Sequence, residues 1–392
     1  MRRVLAVIPG PTFGGAANQV MQLAAPLRAE GWDLVAVLPD EAGNAAPRLE
    51  AAGVEVHKLP MRRLRNTLSP GPHLALARHA TGDVRRLREL ILLTGATVVQ
   101  NHGDLNPQGG IAGHLEGAAV HWQLLDTRTP PAVRRATMRL VTRLADSIST
   151  VGRELARVHP GAEDFGERCV TVFPPVDIAR FAGAEGQREG ARSELGIPDG
   201  ALCIGAIGNR NPQKGHDALV RAAARVRAEH PHVVVRVLGA PSPGHEDYER
   251  SLHETAARAG LSENDGSFGV LDPGDRVPDL IAAIDVFCMP SVPNSEGMPT
   301  VIFEAMHCGI PVVATDVGAV REIFGDTGAG LLVTPSDDEL LAAALSRYAA
   351  DPGLRAAAGA AGRARAAEFS LERLVALYAR AYELAVEHRQ GR

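Results

Sequence analysis

The chain has 392 residues, which is enough for two domains of ordinary size, each with its own core. Hydrophobic residues make up 45% of it and the formal net charge is -5, so a folded globular protein is indicated and nucleic-acid binding is not. None of the cysteines forms a C-x-x-C pair or has histidines at zinc spacing: Cys169, Cys203, Cys288 and Cys308. We therefore expect reduced thiols in a cytoplasmic protein and no metal site.

Short apolar runs alternate with amphipathic ones through the first half of the chain. The run at residues 4–8 predicts a buried first strand, and a helix follows because Val20, Leu23 and Leu27 recur at helical spacing before Gly31. Further strands are predicted at residues 33–39, 97–100, 119–125 and 147–150, and further helices at residues 79–93 and 131–145. This alternation predicts a parallel sheet with helices on both faces. No run approaches the ~18 apolar residues of a membrane-spanning helix, so we expect none.

The alternation pauses at residues 172–200, where adjacent prolines precede a polar, glycine-rich stretch that is typical of a domain boundary. It then resumes, with a helix predicted at residues 216–230 and strands at residues 202–208, 233–239, 286–290, 311–315 and 330–334. The tail predicts one more helix at residues 370–388, whose apolar stripe has no partner in its own sequence neighbourhood. We therefore predict two doubly wound α/β domains, residues 1–175 and 176–369, that face each other across a ligand-binding cleft.

Two glutamates, Glu296 and Glu304, lie eight residues apart on either side of Pro299. Proline is favoured as the first helical residue and Gly309 favours a helix end, so we predict a helix over about residues 299–308 with Glu304 in its second turn. Free backbone N–H groups at the start of this helix would form an anion site. The alternative is an ordinary strand–helix loop in which the acidic pair is incidental.

A second polar loop follows the strand predicted at residues 202–208 and contains Asn209, Arg210 and Lys214. A lysine at the mouth of a parallel sheet suits the neutralisation of a phosphate. The alternative is a pair of exposed surface cations.

Two more candidate positions lie in the first half. Gly14 and Gly15 open the first predicted helix, but they match neither a Walker loop nor the G-x-G-x-x-G pattern, so they favour a phosphate contact and plain turn packing equally. His102 comes at the carboxyl end of a predicted strand, where α/β proteins build their sites, although a lone histidine is more often structural.

Four segments in chain order resemble the retaining glycosyltransferases of family 4, which have the GT-B fold: residues 13–31, 172–181, 211–223 and 295–323. The last of them, SEGMPTVIFEAMHCGIPVVATDVGAVREI, matches the E-x7-E signature of the family. The resemblance spans nearly the whole chain. It implies two Rossmann-like domains facing a deep cleft, with the C-terminal helix, residues 370–392, crossing back onto the first domain.

The resemblance implies a nucleotide-diphospho-sugar donor in the second domain and an acceptor in the first. Lys214 would neutralise the diphosphate, and Glu304 would accept hydrogen bonds from the ribose. Glu296 would accept them from the transferred sugar, and His102 would lie by the sugar and the reacting centre. The other donor-binding positions that it implies are Gly14, Gly15, Asn209, Arg210, Val270, Gly297, Met298, Pro299 and Thr300. Many relatives have an arginine where this chain has Asn209, so the question whether Arg210 replaces it stays open.

The function implied is that of a hexosyltransferase that moves a sugar from a UDP-sugar, or failing that a GDP-sugar, to an acceptor hydroxyl with retention of configuration. We expect front-face substitution in which the leaving phosphate takes the acceptor proton, with no metal or other cofactor. Two alternatives share the architecture: a nucleotide-sugar 2-epimerase and a non-catalytic nucleotide-sugar-binding protein.

The acceptor stays open between a lipid-linked glycan, a phosphosugar and a small metabolite, and Asp126 is the candidate for holding its hydroxyl. Residues 61–90 are rich in arginine with interleaved leucines, and residues 1–175 as a whole carry 20 basic and 16 acidic residues, a net of +4. The arginine-rich segment either meets anionic lipid at the inner face of the membrane or forms a solvated helix face.

Overall fold

The computed structural model describes residues 1–62, 70–103, 105–125, 129–242 and 244–391. The chain divides into two compact units, Met1–Pro175 with Ser370–Arg392 and Val176–Phe369. No helix among the described residues is long and apolar enough to cross a membrane. Asp126 and part of the arginine-rich segment, residues 63–69, lie outside the described residues.

The first unit is built on a parallel sheet. Its strands within the described ranges are β1 (Arg2–Val7), β2 (Trp32–Pro39), β3 (Glu55–Leu59), β4 (Ala96–His102), β5 (Ala119–Leu124), β6 (Ser147–Val151) and β7 (Cys169–Val172). They lie in the order β3-β2-β1-β4-β5-β6-β7 and pair in parallel throughout. The connecting helices are α1 (Gly15–Ala29), α2 (Ala45–Ala51), α3 (Pro70–Thr94), α4 (Gln108–Glu116), α5 (Pro131–Leu144) and α6 (Arg153–Val158).

The central strands follow from continuous apolar runs. β2 is buried at every position and β1 is buried from Val4 to Val7, as expected of a sheet covered on both faces. The two edge strands were not predicted from the sequence. β3 contains only exposed and half-buried residues and β7 is four residues long, so neither has the apolar run that marks a central strand.

The second unit repeats this construction. Its strands are β8 (Leu202–Ile207), β9 (Val233–Leu238), β10 (Phe268–Leu271), β11 (Val286–Met289), β12 (Val312–Thr315) and β13 (Gly330–Val333), in the order β10-β9-β8-β11-β12-β13. Its helices are α7 (Arg188–Glu194), α8 (His216–Glu229), α9 (Glu246–Arg258), α10 (Val277–Leu280), α11 (Thr300–His307), α12 (Val320–Phe324), α13 (Asp338–Ala350) and α14 (Pro352–Ala366). The α/β prediction of two doubly wound sheets is confirmed.

The strand order reverses between β1 and β4 in the first sheet and between β8 and β11 in the second. In doubly wound sheets, ligands bind outside the carboxyl ends of the strands at such a reversal. His102, the last residue of β4, lies there in the first unit. In the second unit, the loops after β8 and β11 carry Lys214 and Glu296.

The last helix, α15 (Leu371–Gln390), belongs to the first unit, where it packs on β5, β6, β7 and α1. Ser370 caps it, because its side chain accepts a hydrogen bond from the backbone N–H of Arg373. The buried stripe includes Leu374, Tyr378 and Tyr382, each at most 1% exposed. The prediction that the tail helix returns to the first domain is therefore confirmed, and this contact accounts for the partner missing from its sequence neighbourhood.

Candidate functional site

Helix α11 begins one residue later than predicted. Pro299 has an extended backbone, φ -72° and ψ 119°, and precedes the helix rather than opening it. Glu304 lies in the second turn, and Gly309 follows in the left-handed region with φ +71°. The backbone N–H groups of the first turn therefore start at Thr300, at the carboxyl edge of the sheet.

The Glu296 carboxylate is largely buried, and two side chains from different loops donate to the same oxygen. Lys214 Nζ lies 2.7 Å from Glu296 Oε1, and Ser291 Oγ donates to that atom at 2.7 Å. Thr315 Oγ1 in turn donates to the Ser291 carbonyl at 2.6 Å. Within the described residues, both hydrogen bonds to this carboxylate fall on Oε1. The second oxygen, Oε2, is left for another donor.

A local turn holds Lys214 in place. The Asn211 side chain accepts from the backbone N–H of Gln213 at 3.0 Å, which caps a short 3-10 turn that ends at Lys214. Gly215 follows with φ +64°, and a Cβ there would lie 2.0 Å from the Pro290 carbonyl oxygen. The close approach of these two loops therefore requires glycine at position 215.

These loops surround a cavity of about 480 Å³ in the second unit. Its lining contains seven of the positions singled out from the sequence: Asn209, Lys214, Glu296, Met298, Pro299, Thr300 and Glu304. The opposite wall was not predicted and consists of Arg180, Phe181, Gly274, Asp275, Val277 and Pro278. Arg180 donates to the Asp275 carbonyl at 3.0 Å, which joins the two parts of this wall.

Burial raises the pKa of Glu304, and both a hydrogen bond with the Thr300 side chain and the positive charge of Arg180 oppose that rise. The carboxylate is thus partly desolvated and faces a cavity that also contains a cation. Desolvated carboxylates bind hydroxyl donors strongly when they are ionised.

Arg210 does not line the cavity. Its guanidinium is buried, bonds to the Gly239 carbonyl and forms a 2.9 Å ion pair with Glu249 on α9. A buried guanidinium has to be partnered, and neither of these partners is among the residues that line the cavity. The sequence left open whether Arg210 replaces the family arginine. In the structure, the Arg210 side chain does not reach this cavity.

Two other expected positions also lie outside the lining. Val270, one of the donor-binding positions that the resemblance implied, falls in strand β10. The Gly297 carbonyl accepts from the Ala319 N–H at 2.8 Å, so this residue fastens the loop to the turn before α12.

In the first unit, packing does not demand glycine at the start of α1. A Cβ on Gly15 would meet nothing within 4 Å, and one on Gly14 only the Thr12 carbonyl at 3.9 Å. Both positions have room for a side chain, so the packing of the turn does not explain why they are glycines.

His102 is 1% exposed, and neither ring nitrogen has a hydrogen-bond partner among the described residues. Burial lowers the pKa of His102 to about 4, with the Gln123 amide opposing part of that change. The ring is therefore neutral near pH 7 and can both donate and accept a hydrogen bond.

The described part of the arginine-rich segment pairs its charges with acids. Arg86 lies 2.5 Å from Asp83, Arg88 lies 2.5 Å from Glu116, and Arg85 forms a longer contact with Glu89. These pairs leave less free positive charge for an anionic surface than the sequence suggested. No group of three or more histidine, cysteine or acidic side chains is arranged to hold a metal ion within the described ranges.

Comparison with known families accounts for most of the chain. Residues 14–175 match the family described as "Glycosyl transferase 4-like domain", and residues 187–365 match "Glycosyl transferases group 1". The chain belongs to glycosyltransferase family 4.

Among solved structures, this family 4 chain is similar to Anabaena HepE in complex with UDP (TM-score 0.77, 23% identity, 97% of this chain and 99% of that one). It is also similar to a glycosyltransferase from Rickettsia africae (TM-score 0.80, 16% identity, 98% and 99%). These likenesses confirm the GT-B fold.

The curated relatives include D-inositol 3-phosphate glycosyltransferases of actinobacteria. The Salinispora arenicola protein is 37% identical over 229 residues, which are 56% of this chain and 50% of that protein. The Corynebacterium urealyticum protein is 33% identical over 260 residues, 64% of this chain and 61% of that protein. The family 4 chain thus spans about half the length of the curated relatives it matches.

The turn that supports Gly297 gives a test of the site's construction. Gly318 has φ +53°, and a Cβ there would lie 2.2 Å from the Gly297 carbonyl oxygen, whereas Gly328, with φ +75°, has open space around it. Gly328→Ala should lower the free energy of unfolding by the backbone strain alone, about 1–2 kcal/mol. Gly318→Ala should lower it further and weaken nucleotide binding, as measured by denaturant unfolding and calorimetry. Equal effects of the two substitutions would contradict this arrangement.

Proposed function

We propose that the protein transfers a hexosyl unit from a nucleotide-diphospho-sugar to an acceptor hydroxyl with retention of configuration. The observation that carries the proposal is one cavity of the second unit, which places Lys214, the start of α11 and both glutamates around one volume. A cation and free N–H groups suit a diphosphate, and buried carboxylates suit the hydroxyls of two sugars. Membership of family 4 supports the same reaction.

The Lys214–Glu296 ion pair suits this donor because each of the two side chains can also bind one part of the donor. In the proposed complex, Lys214 turns its charge to the diphosphate, and Glu296 keeps Ser291 on Oε1 while Oε2 accepts from the transferred sugar. Glu304, which lies in the second turn of α11, about one turn from the proposed diphosphate-binding start, accepts from the ribose.

The reaction we propose is a front-face substitution. The bond from the anomeric carbon to the diphosphate oxygen breaks as the acceptor oxygen bonds on the same face, and the departing phosphate takes the acceptor proton. Lys214 and the N–H groups at the start of α11 stabilise the negative charge that develops on the leaving diphosphate, and they do so without a metal. His102, neutral at pH 7, is proposed to hydrogen-bond the transferred sugar.

For the donor we propose a UDP-sugar first and a GDP-sugar second. The wall formed by Arg180 and residues 274–278 lies in the same cavity as Glu304, so it is where the ribose and base are proposed to lie. The UDP complex of HepE is consistent with this choice. For the acceptor we propose a small phosphorylated polyol, because the relatives at 33–38% identity are named for D-inositol 3-phosphate.

The first experiment is a thermal-shift screen with UDP-, GDP-, ADP- and dTDP-sugars, followed by turnover of the best donor with D-inositol 3-phosphate. NMR of the product should show the anomeric configuration of the donor. Inversion would overturn the retaining mechanism. Epimerisation of the donor without transfer, or binding without turnover, would favour the two alternative functions.

Lys214→Ala is expected to lower kcat with the best donor by roughly a hundredfold to a thousandfold, because charge stabilisation of the leaving diphosphate is lost. The chain has one other lysine, Lys58, which lies on edge strand β3 and provides the matched control. Lys58→Ala should keep wild-type kinetics. Normal donor turnover by Lys214→Ala would count against the donor site proposed here.

Glu304→Gln tests the ribose contact. It should raise KM for a UDP-sugar roughly tenfold to a hundredfold, since a hydrogen bond to a charged group is lost. The 2′,3′-dideoxyribose analogue of the same donor provides the control, because it lacks the hydroxyls that Glu304 is proposed to bind. Its KM should be high with the wild-type enzyme and change little in the variant. An equal proportional loss for both donors would place Glu304 elsewhere.

A further inference from the structure

One face of the first sheet is unusually polar beneath α15. Strands of a covered parallel sheet are normally runs of aliphatic residues. Here, alternate residues of three neighbouring strands are polar and at most 1% exposed: Gln100 and His102 on β4, His121 and Gln123 on β5, and Ser147 and Ser149 on β6. The strand register sets Gln100 opposite His121 and His102 opposite Gln123.

Helix α15 covers this face with two tyrosine hydroxyls. Gln123 Nε2 donates to the Tyr378 hydroxyl oxygen at 2.8 Å, and the amide of Gln19 on α1 bonds to the same oxygen. The Tyr382 hydroxyl donates to Gln100 Oε1 at 2.5 Å. Both tyrosines are completely buried, so a hydroxyl without its hydrogen-bond partner would lower the stability of the fold.

The simplest role for this network is to dock α15, and for most of its members that role is sufficient. The two ring nitrogens of His121 lie 2.8 Å from Ser147 Oγ and 3.0 Å from Ser149 Oγ, and Ser147 also donates to the Ala381 carbonyl at 2.8 Å. His121 is thereby satisfied within the fold.

His102 differs from His121 although both are completely buried on the same face. Neither of its ring nitrogens has a hydrogen-bond partner among the described residues. A buried imidazole in that state costs free energy, so such a group in a native protein calls for a specific explanation, such as a ligand. Its neighbour across the strand pair is Gln123, whose Nε2 donates to Tyr378 at 2.8 Å and whose Oε1 accepts from Gln100 Nε2 at 3.3 Å. The second lone pair of that oxygen is the acceptor available to the His102 ring, and the Gln123 amide raises the pKa of His102.

The direction of the Gln123 amide therefore decides which way the ring can bond. An amide oxygen beside one ring nitrogen favours the tautomer with the proton on that nitrogen. The other nitrogen then has a free lone pair, which can accept from a sugar hydroxyl. If the Tyr378 hydroxyl were absent, Gln123 would lose the shorter of the two hydrogen bonds that orient its amide and would keep only the 3.3 Å contact from Gln100.

We propose that Tyr378 is a positioning residue for His102: its hydroxyl orients the Gln123 amide, which in turn holds the imidazole in one orientation and one tautomer. The proposal rests on the role given to His102 in the proposed function. It adds a residue of the last helix to the machinery of the reacting centre, through two hydrogen-bonded steps.

Tyr378→Phe removes the hydroxyl alone, and Tyr382→Phe is its matched control on the same helix, one turn away and equally buried. Both should lose similar stability in denaturant unfolding. Tyr378→Phe should lower kcat roughly tenfold to a hundredfold with little change in donor KM, as expected when a reacting group is misplaced. Tyr382→Phe should lower it far less, because the Tyr382 hydroxyl reaches Gln123 only through Gln100. Equal kcat values for the two variants would reduce the network to a docking contact and overturn the proposal.

Gln123→Met provides a second route to the same step, because it removes the amide at nearly the same volume. It should lower kcat as Tyr378→Phe does, and the double variant should be no slower than the slower single variant, since both act through one group. Additive losses in the double variant would show that Tyr378 acts independently of Gln123.

Nuclear magnetic resonance separates this inference from the proposed function. Long-range nitrogen–proton correlations of isotope-labelled histidines report the tautomer of each ring, and His102→Asn identifies the His102 signals. In the unliganded protein, the His102 pattern should change from a single tautomer to a mixture in Tyr378→Phe and remain unchanged in Tyr382→Phe. If the pattern does not change in Tyr378→Phe, the positioning role is wrong even where transfer activity is established. If it changes and no transfer is found with any donor, the proposed function fails and the positioning contact stands.

Discussion

The buried carboxylate of Glu296 is the point at which three loops of the second unit meet. Its Oε1 takes Lys214 from the turn after β8 and Ser291 from the segment after β11, and Thr315 at the end of β12 holds Ser291. A carboxylate that is 9% exposed has to be partnered, so its position constrains all three loops at once. The cavity wall, the start of α11 and the position of the lysine all depend on satisfying this one charge.

The polar cluster around Glu296 and the polar network around Gln123 differ in charge, although the first unit also has an ion pair with a buried carboxylate, Arg389–Asp146. The second unit uses a charged pair at the edge of its sheet, beside the cavity, where one partner can be exchanged for an incoming ligand. The first unit uses a neutral network under α15, in which amides, hydroxyls and His121 satisfy one another. A neutral network carries a smaller desolvation cost than an ion pair and holds its members more rigidly. That difference is consistent with the proposed donor site, in which Lys214 changes partners, and with the single orientation proposed for His102.

Much of the fold could be predicted because its signals are local. Central strands such as β1 and β8 are continuous apolar runs, and α11 is marked by Pro299 before it and Gly309 after it. The edge strands β3 and β10 lack such runs, which is why neither was predicted from the sequence. Most of the glutamate–lysine site could also be predicted, since its residues follow directly after strands.

What could not be predicted depends on contacts between distant segments. The direction of Arg210 is set by Glu249, which is on another helix, and nothing near Arg210 in the sequence shows that its charge is taken. The cavity wall around Arg180 forms because a segment at the start of the unit packs against residues 274–278, almost a hundred positions later in the chain. The pairing of Tyr378 with Gln123 likewise joins the last helix to a strand of the first half.

Because the Arg210 side chain lies outside the cavity, the charge that an anionic ligand meets on approaching the cavity is also affected. The charged lining residues are two cations, Arg180 and Lys214, and three acids, Asp275, Glu296 and Glu304, a formal net of -1. A cavity with that balance exerts no long-range pull on a nucleotide diphosphate, so electrostatic steering would not accelerate its capture. Association would then depend little on ionic strength, and selectivity for the donor would be exercised at short range, once a phosphate replaces Glu296 beside Lys214.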